Sequence, residues 1–183
     1  MIRFFDFKIW GLALVALVGC KKIKPESISI PEYPDLDAFY QDQVIRLDNS
    51  SLEKEVSLGG KIEVNTFQMD TSVWKDELSF LEEINPNKSE YLGSFSIAEK
   101  GNLVAYTLKE GEKGVLKQLS ILSESGEYQF IKGTIHEDKD VYTHHRDIEI
   151  NLADGVIQSF TIDGYQKMMF KDTVLFGIKG KVQ

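Results

Sequence analysis

Cysteine, proline and histidine are all scarce: the 183 residues contain one, four and three of them. A lone thiol, Cys20, rules out an internal disulfide and any thiolate-rich metal site, so stability has to come from packing. No low-complexity stretch or fixed-period repeat occurs. There is no G-x-S-x-G elbow, no P-loop and no dinucleotide fingerprint, and the glycines sit mostly singly in polar turns. An excess of basic charge is also missing. The net charge of −8 speaks against nucleic acid and against charge-driven adhesion to anionic lipid.

Only one long uninterrupted apolar run exists, Ile9 to Val18, and a short segment holding Arg3 and Lys8 against Asp6 precedes it. A basic start and an apolar core of about 7–15 residues describe a secretory signal peptide. The run falls short of the roughly 20 residues a spanning helix needs. It ends in Leu17-Val18-Gly19-Cys20, which resembles the bacterial lipobox, an aliphatic and small-residue motif before an obligatory cysteine. The resemblance implies diacylglycerol on the Cys20 thiol, cleavage before Cys20, and in most cases a further acyl chain on the new amine. Two or three chains, at about 0.8 kcal/mol per buried methylene, make a firm anchor where one would be marginal. The expectation is therefore a signal peptide over 1–19 and a lipid-anchored envelope protein. Lys21, in place of an acid after the cysteine, favours the outer membrane. A lipidated Cys20 cannot act as a nucleophile. Loss of Arg3, Lys8 and Asp6 makes the remaining body one unit more negative.

Residues 20–34 carry Pro25, Pro31 and Pro34 without a sustained period and read as a tether. Residues 35–183 read as one β-rich domain. Asp35 is placed to cap a helix whose apolar stripe is Leu36, Phe39, Tyr40, Val44 and Leu47. Val56 to Val64 reads as a strand or hairpin around Gly59-Gly60. A second helix is expected over Val73–Ile84, with Trp74, Leu78, Leu81 and Ile84 on one side and Pro86 beyond its end. From about Tyr91 the pattern turns to short strands, near 91–98, 103–109, 115–122, 128–136, 141–152, 156–163 and 173–181. Polar turns such as Glu124-Ser125-Gly126-Glu127 and Ala153-Asp154-Gly155 separate them. Strict alternation in Asp147-Ile148-Glu149-Ile150-Asn151-Leu152 gives one dry and one wet face. The expected fold class is mainly β with two short helices: an antiparallel meander, forming a barrel or a strongly curved sheet, with the helices on its dry face.

Candidate chemistry is sparse. His136, His144 and His145 invite a metal, but adjacent strand histidines point to opposite faces. A hairpin turning at Asp138-Lys139 would set His136 opposite Val141 and leave His145 roughly 13 Å away. No metal site is expected. Glu137-Asp138-Lys139-Asp140 lacks the ligand spacing of a dedicated calcium loop and reads as a solvated turn. Asp76-Glu77 and Glu82-Glu83 read as the wet side of the second helix. The aromatic set of Phe67, Trp74, Phe80, Tyr91, Phe95, Tyr106, Tyr128, Phe130, Tyr142, Phe160, Tyr165, Phe170 and Phe176 serves either a core or a cavity. Met168-Met169-Phe170 adds adaptable apolar surface.

The layout of lipobox, tether, amphipathic helix, Trp-containing helix and β-meander is similar to a group of uncharacterised lipoproteins of Bacteroidota-type envelopes. Trp74-Lys75-Asp76-Glu77-Leu78, Ile84-Asn85 and the strands to Val182 carry the likeness. That group brings no agreed activity or catalytic residues. In architecture alone the chain also resembles lipoprotein-localisation factors, which hold acyl chains in a curved antiparallel sheet with helices inside. The functional expectation is a non-enzymatic binding module for an apolar ligand or an envelope protein, with no cofactor. An envelope hydrolase with an unfamiliar site, or a structural accessory subunit of an outer-membrane complex, is the alternative.

Overall fold

The computed structural model describes residues 33–183. The expected signal peptide, the Cys20 lipidation site and nearly all of the tether lie outside the described residues. Tyr33, at the end of the stretch read as tether, is buried against Phe95 and Tyr106, with ring centroids 5.9 and 5.8 Å away. No helix among the described residues is long and apolar enough to cross a membrane.

The described residues open with α1 (Leu36–Arg46), followed by β1 (Ser51–Leu58), β2 (Lys61–Gln68), α2 (Thr71–Glu77), α3 (Phe80–Glu83) and one 3-10 turn at Ser89–Tyr91. Seven strands follow: β3 (Phe95–Lys100), β4 (Leu103–Leu108), β5 (Leu116–Glu124), β6 (Glu127–Lys139), β7 (Tyr142–Ala153), β8 (Val156–Met168) and β9 (Val174–Val182). All nine strands form one sheet in the order β2-β1-β9-β8-β7-β6-β5-β4-β3, and every pairing is antiparallel. The meander from β3 to β9 thus closes back onto the first hairpin through β1. Among the described residues β2 and β3 are the edges of the sheet, which is open and not a barrel.

Local chemistry accounts for these elements. Asp35 caps α1 by accepting from the Ala38 N–H at 2.9 Å, and Asp70 caps α2 in the same way from Val73. Ser125-Gly126 and Asp154-Gly155 take positive φ at both central positions, the paired left-handed geometry of a two-residue hairpin. The expected second helix is broken. Leu78 and Ser79 interrupt it between α2 and α3, while its apolar stripe stays continuous: Trp74, Leu78, Leu81 and Ile84 are all fully buried.

The helices lie on one face of the sheet. Their apolar side meets Leu119, Ile131, Ile148, Ile150 and Phe160, and Phe80 packs on Phe160 at 5.1 Å between centroids. Gly133 allows this close approach, since a Cβ there would lie 2.4 Å from Ile84 Cγ2. The opposite face carries paired polar and charged groups, with Ile62, Val64 and Leu175 exposed among them. Lys132 donates to Glu149 at 2.7 Å, Thr134 to Asp147 at 2.7 Å, and Lys179 to Glu55 at 2.9 Å.

Candidate functional site

The helices cover the sheet unevenly. α1, α2 and α3 pack over the middle strands, and β1, β2 and the start of β9 extend past them. Val56, Leu58, Phe67 and Val174 therefore stay exposed although register places them on the helix face. Between α2 and the β1–β2 hairpin this leaves a groove of about 550 Å³, walled by Val56, Phe67, Met69 and Val73. That volume falls within the usual range for small-molecule sites, about 300–1,000 Å³.

Two features shape the groove. Phe67 reaches it because β2 carries it on the helix face opposite Leu52, while Val73 comes from the outer side of α2, away from buried Trp74. At its inner end the Lys54 ammonium donates to Glu77 at 2.8 Å, with both side chains largely shielded from solvent. The remaining wall is polar: Glu63, Asn65 and Gln68. The groove can hold an apolar group against Val56, Phe67 and Val73, with a polar end meeting charge. Apart from Phe67, sequence reading missed these residues as a site. Glu77, read as a solvated helix acid, is instead the partner of Lys54.

The histidines are arranged differently from the sequence expectation. The β6–β7 hairpin turns at Asp140-Val141, two residues later than expected, so β6 runs on to Lys139 and His136 pairs directly with His145. Their ring centroids are 5.8 Å apart. The acidic segment pairs instead of turning, because its residues find cross-strand partners. Thr143 donates to Asp138 at 2.7 Å, and Glu137 and Lys139 pair across the ladder with His144 and Tyr142. His145 contacts Asp147 at 3.1 Å and stacks on Tyr165. Among the described residues no group of three or more His, Cys, Asp or Glu side chains is placed to hold a metal ion.

His144 points to the helix face with Arg146. Arg146 forms a two-point ion pair with Glu83 of α3, one bond being 2.9 Å from Nη1 to Oε1, so Glu83 too is engaged and not free at the surface. His144 Nε2 and Arg146 Nε are buried without a partner. Burial pushes the His144 imidazole below its ordinary value; Arg146 acts in the same direction and Glu83 and Glu137 oppose it. For Asp147, burial acts upward, but the bonds from Thr134 and His145 outweigh it and hold the carboxyl below its ordinary value.

Most of the aromatic set is core: Trp74, Phe80, Tyr91, Phe95, Tyr106 and Phe160 are buried, and Tyr128 and Phe176 pack at the margin of that core. Met168, Met169 and Phe170 are exposed at the β8–β9 turn. Comparison with protein-family models, with curated proteins and with solved structures found no match to this chain.

Proposed function

We propose that this is a lipid-anchored envelope protein that binds, without catalysis, the apolar part of a small ligand in the groove between α2 and the β1–β2 hairpin. One observation carries the reading: Val56, Phe67 and Val73 converge on the same 550 Å³ groove and remain 38, 46 and 45 % exposed beside a fully packed core. A core that packs Trp74, Leu78 and Leu81 to zero exposure has no need to leave these three uncovered. The lipobox ending in Cys20 supports placement at a membrane, where apolar ligands are plentiful. Register shifts between Leu116 and Gln118, Leu122 and Ser123, and Asn151 and Leu152 support a sheet that bends around its helix face.

Titration with a fluorescent acyl-chain probe tests the reading. Saturable binding that is lost on Val56→Asp or Val73→Asp supports it. Equal probe response in both variants contradicts it.

A second reading is favoured by a separate feature. Among the described residues β2 borders the groove as an unpaired sheet edge, and all eight of its residues are exposed. Such an edge can accept an extended segment of an envelope protein by strand addition, placing a side chain of that segment in the groove. Crosslinking from position 66 in intact envelopes would then capture a protein where the first reading expects none.

A further inference from the structure

The β6–β7 and β8–β9 turns meet at one end of the sheet. The Met169 N–H donates to Val141 O at 2.9 Å, and Tyr142 pairs with Met168. Four large apolar side chains crown this end: Val141 at 59 %, Met168 at 45 %, Met169 at 50 % and Phe170 at 97 % exposure. Phe170 also holds a positive φ of 62°, a costly backbone for an aromatic residue. Beyond the pairing of Leu116 with Ile135, β6 runs on to Lys139 beside the Glu112–Val115 loop, joined to it by the His136 N–H to Val115 O bond of 2.8 Å. The apex 168–170 is uncharged, and Lys139, Lys167 and Lys171 around it are balanced by Asp138, Asp140 and Asp172.

We infer that this tip docks on a lipid bilayer, with Phe170, Met168 and Met169 entering the headgroup–acyl boundary. The inference rests on the lipid-anchor reading for its choice of occupant, and chain length supports that choice. The Tyr33 ring packs on Tyr106, which is level across the ladder with Leu119, Gly133 and Ile148. From that row the strands reach the tip in roughly 20–25 Å, at about 3.3 Å per residue. Fully extended, the chain between Cys20 and Tyr33 spans at most about 45 Å. A bilayer that holds Cys20 is therefore within reach of the tip. Balanced charge suits a membrane entered by apolar contact, with lysine stems lying along it and their amines in water.

The test uses the full chain reconstituted in phosphatidylcholine vesicles, with and without bromine on the acyl chains. Phe170→Trp places a reporter at the tip, and Ile45→Trp, on the outer side of α1, is the control reporter. The wild-type signal, from Trp74 alone once residues 1–19 are cleaved and from Trp10 as well where they are retained, is subtracted. The expected result is that the tip reporter loses roughly half its emission or more in brominated vesicles, as a ring seated about 5–10 Å into the boundary would, while the control reporter does not. Equal quenching of the two overturns the inference. So does blue-shifted emission from the tip reporter without bromine quenching, which would mean that protein covers the tip. Mass and membrane partition of wild type and Cys20→Ala report the anchor separately. If Cys20 carries no lipid, the anchor reading fails, and the Phe170→Trp variant with excess vesicles still decides the tip: quenching supports it and none overturns it.

Discussion

Gln43 and Ile157, 114 positions apart, share a buried hydrogen bond of 2.9 Å from the Ile157 N–H to the Gln43 side-chain oxygen. The same amide donates to Gly155 O at 2.8 Å, so one fully buried side chain bonds two backbone groups at the β7–β8 turn. Arg46, one turn further along α1, adds a bond to Asp154 O at 3.0 Å. The helix is thereby registered on the sheet by polar contacts as well as by its apolar stripe.

Replacing Gln43 with Leu keeps the volume but takes its partner from the buried Ile157 N–H and leaves Gly155 O only the longer bond from Arg46 at 3.3 Å. The expected loss is about 1–3 kcal/mol for each group left unsatisfied. Urea unfolding followed by Trp74 fluorescence reads it directly. A change under about 0.5 kcal/mol, as at an ordinary surface site, would mean that the turn finds other partners.

Gly133 lies directly against Ile84, the residue that ends α3. Gly133→Ala should destabilise by about 1–3 kcal/mol, because the added methyl meets the β-branched part of Ile84 and not a flexible chain end. Combining it with Ile84→Ala, which removes the Cγ2 that the new methyl meets, should cost less than the sum of the two single changes. Strict additivity in the double-mutant cycle would show that the contact does not limit packing.

His144 gives a pH dependence with a definite sign. Its folded pKa is depressed, so its contribution to stability is complete above the ordinary value of 6.5 and is lost as pH falls through the folded value. Melting temperature should therefore drop on acidification below about pH 6.5, the ordinary histidine range. His144→Gln should flatten that part of the profile. Asp147, also depressed, loses its contribution only at more acid pH, below its ordinary 3.8. An unchanged slope in His144→Gln would assign the titration elsewhere.

Phe67 separates binding from folding. It is exposed on an edge strand, so Phe67→Asp should change stability by no more than about 0.5 kcal/mol. Affinity for an acyl-chain probe should fall about tenfold, the equivalent of 1.4 kcal/mol and less than a fully buried Phe is worth. Isothermal titration beside a urea melt checks both halves.

Turns and faces were legible in the sequence where local chemistry decides them. Ser125-Gly126 and Asp154-Gly155 can hardly be anything but tight turns, and the alternation through Ile148, Ile150 and Leu152 gave the dry face correctly. The α2–α3 break was not legible, because the stripe from Trp74 to Ile84 continues across it. Glu137 to Asp140 looks like a solvated turn when read alone, yet Thr143 and Tyr142 across the hairpin make part of it strand. The groove was hidden for a different reason. Whether Val56, Phe67 and Val73 are covered depends on how far the helices extend across the sheet, which no local pattern encodes. Closure of the sheet is equally non-local: nothing in Lys61–Gln68 marks β2 as a free edge.

Native mass spectrometry with solvent extraction, on protein purified from a bacterial envelope, tests apolar-ligand binding in the groove most directly. Wild type should carry a stoichiometric apolar adduct, beyond any acyl chains on Cys20, that is missing from Phe67→Asp. A clean mass for wild type across repeated mild purifications, or an adduct that Phe67→Asp retains in full, would contradict it.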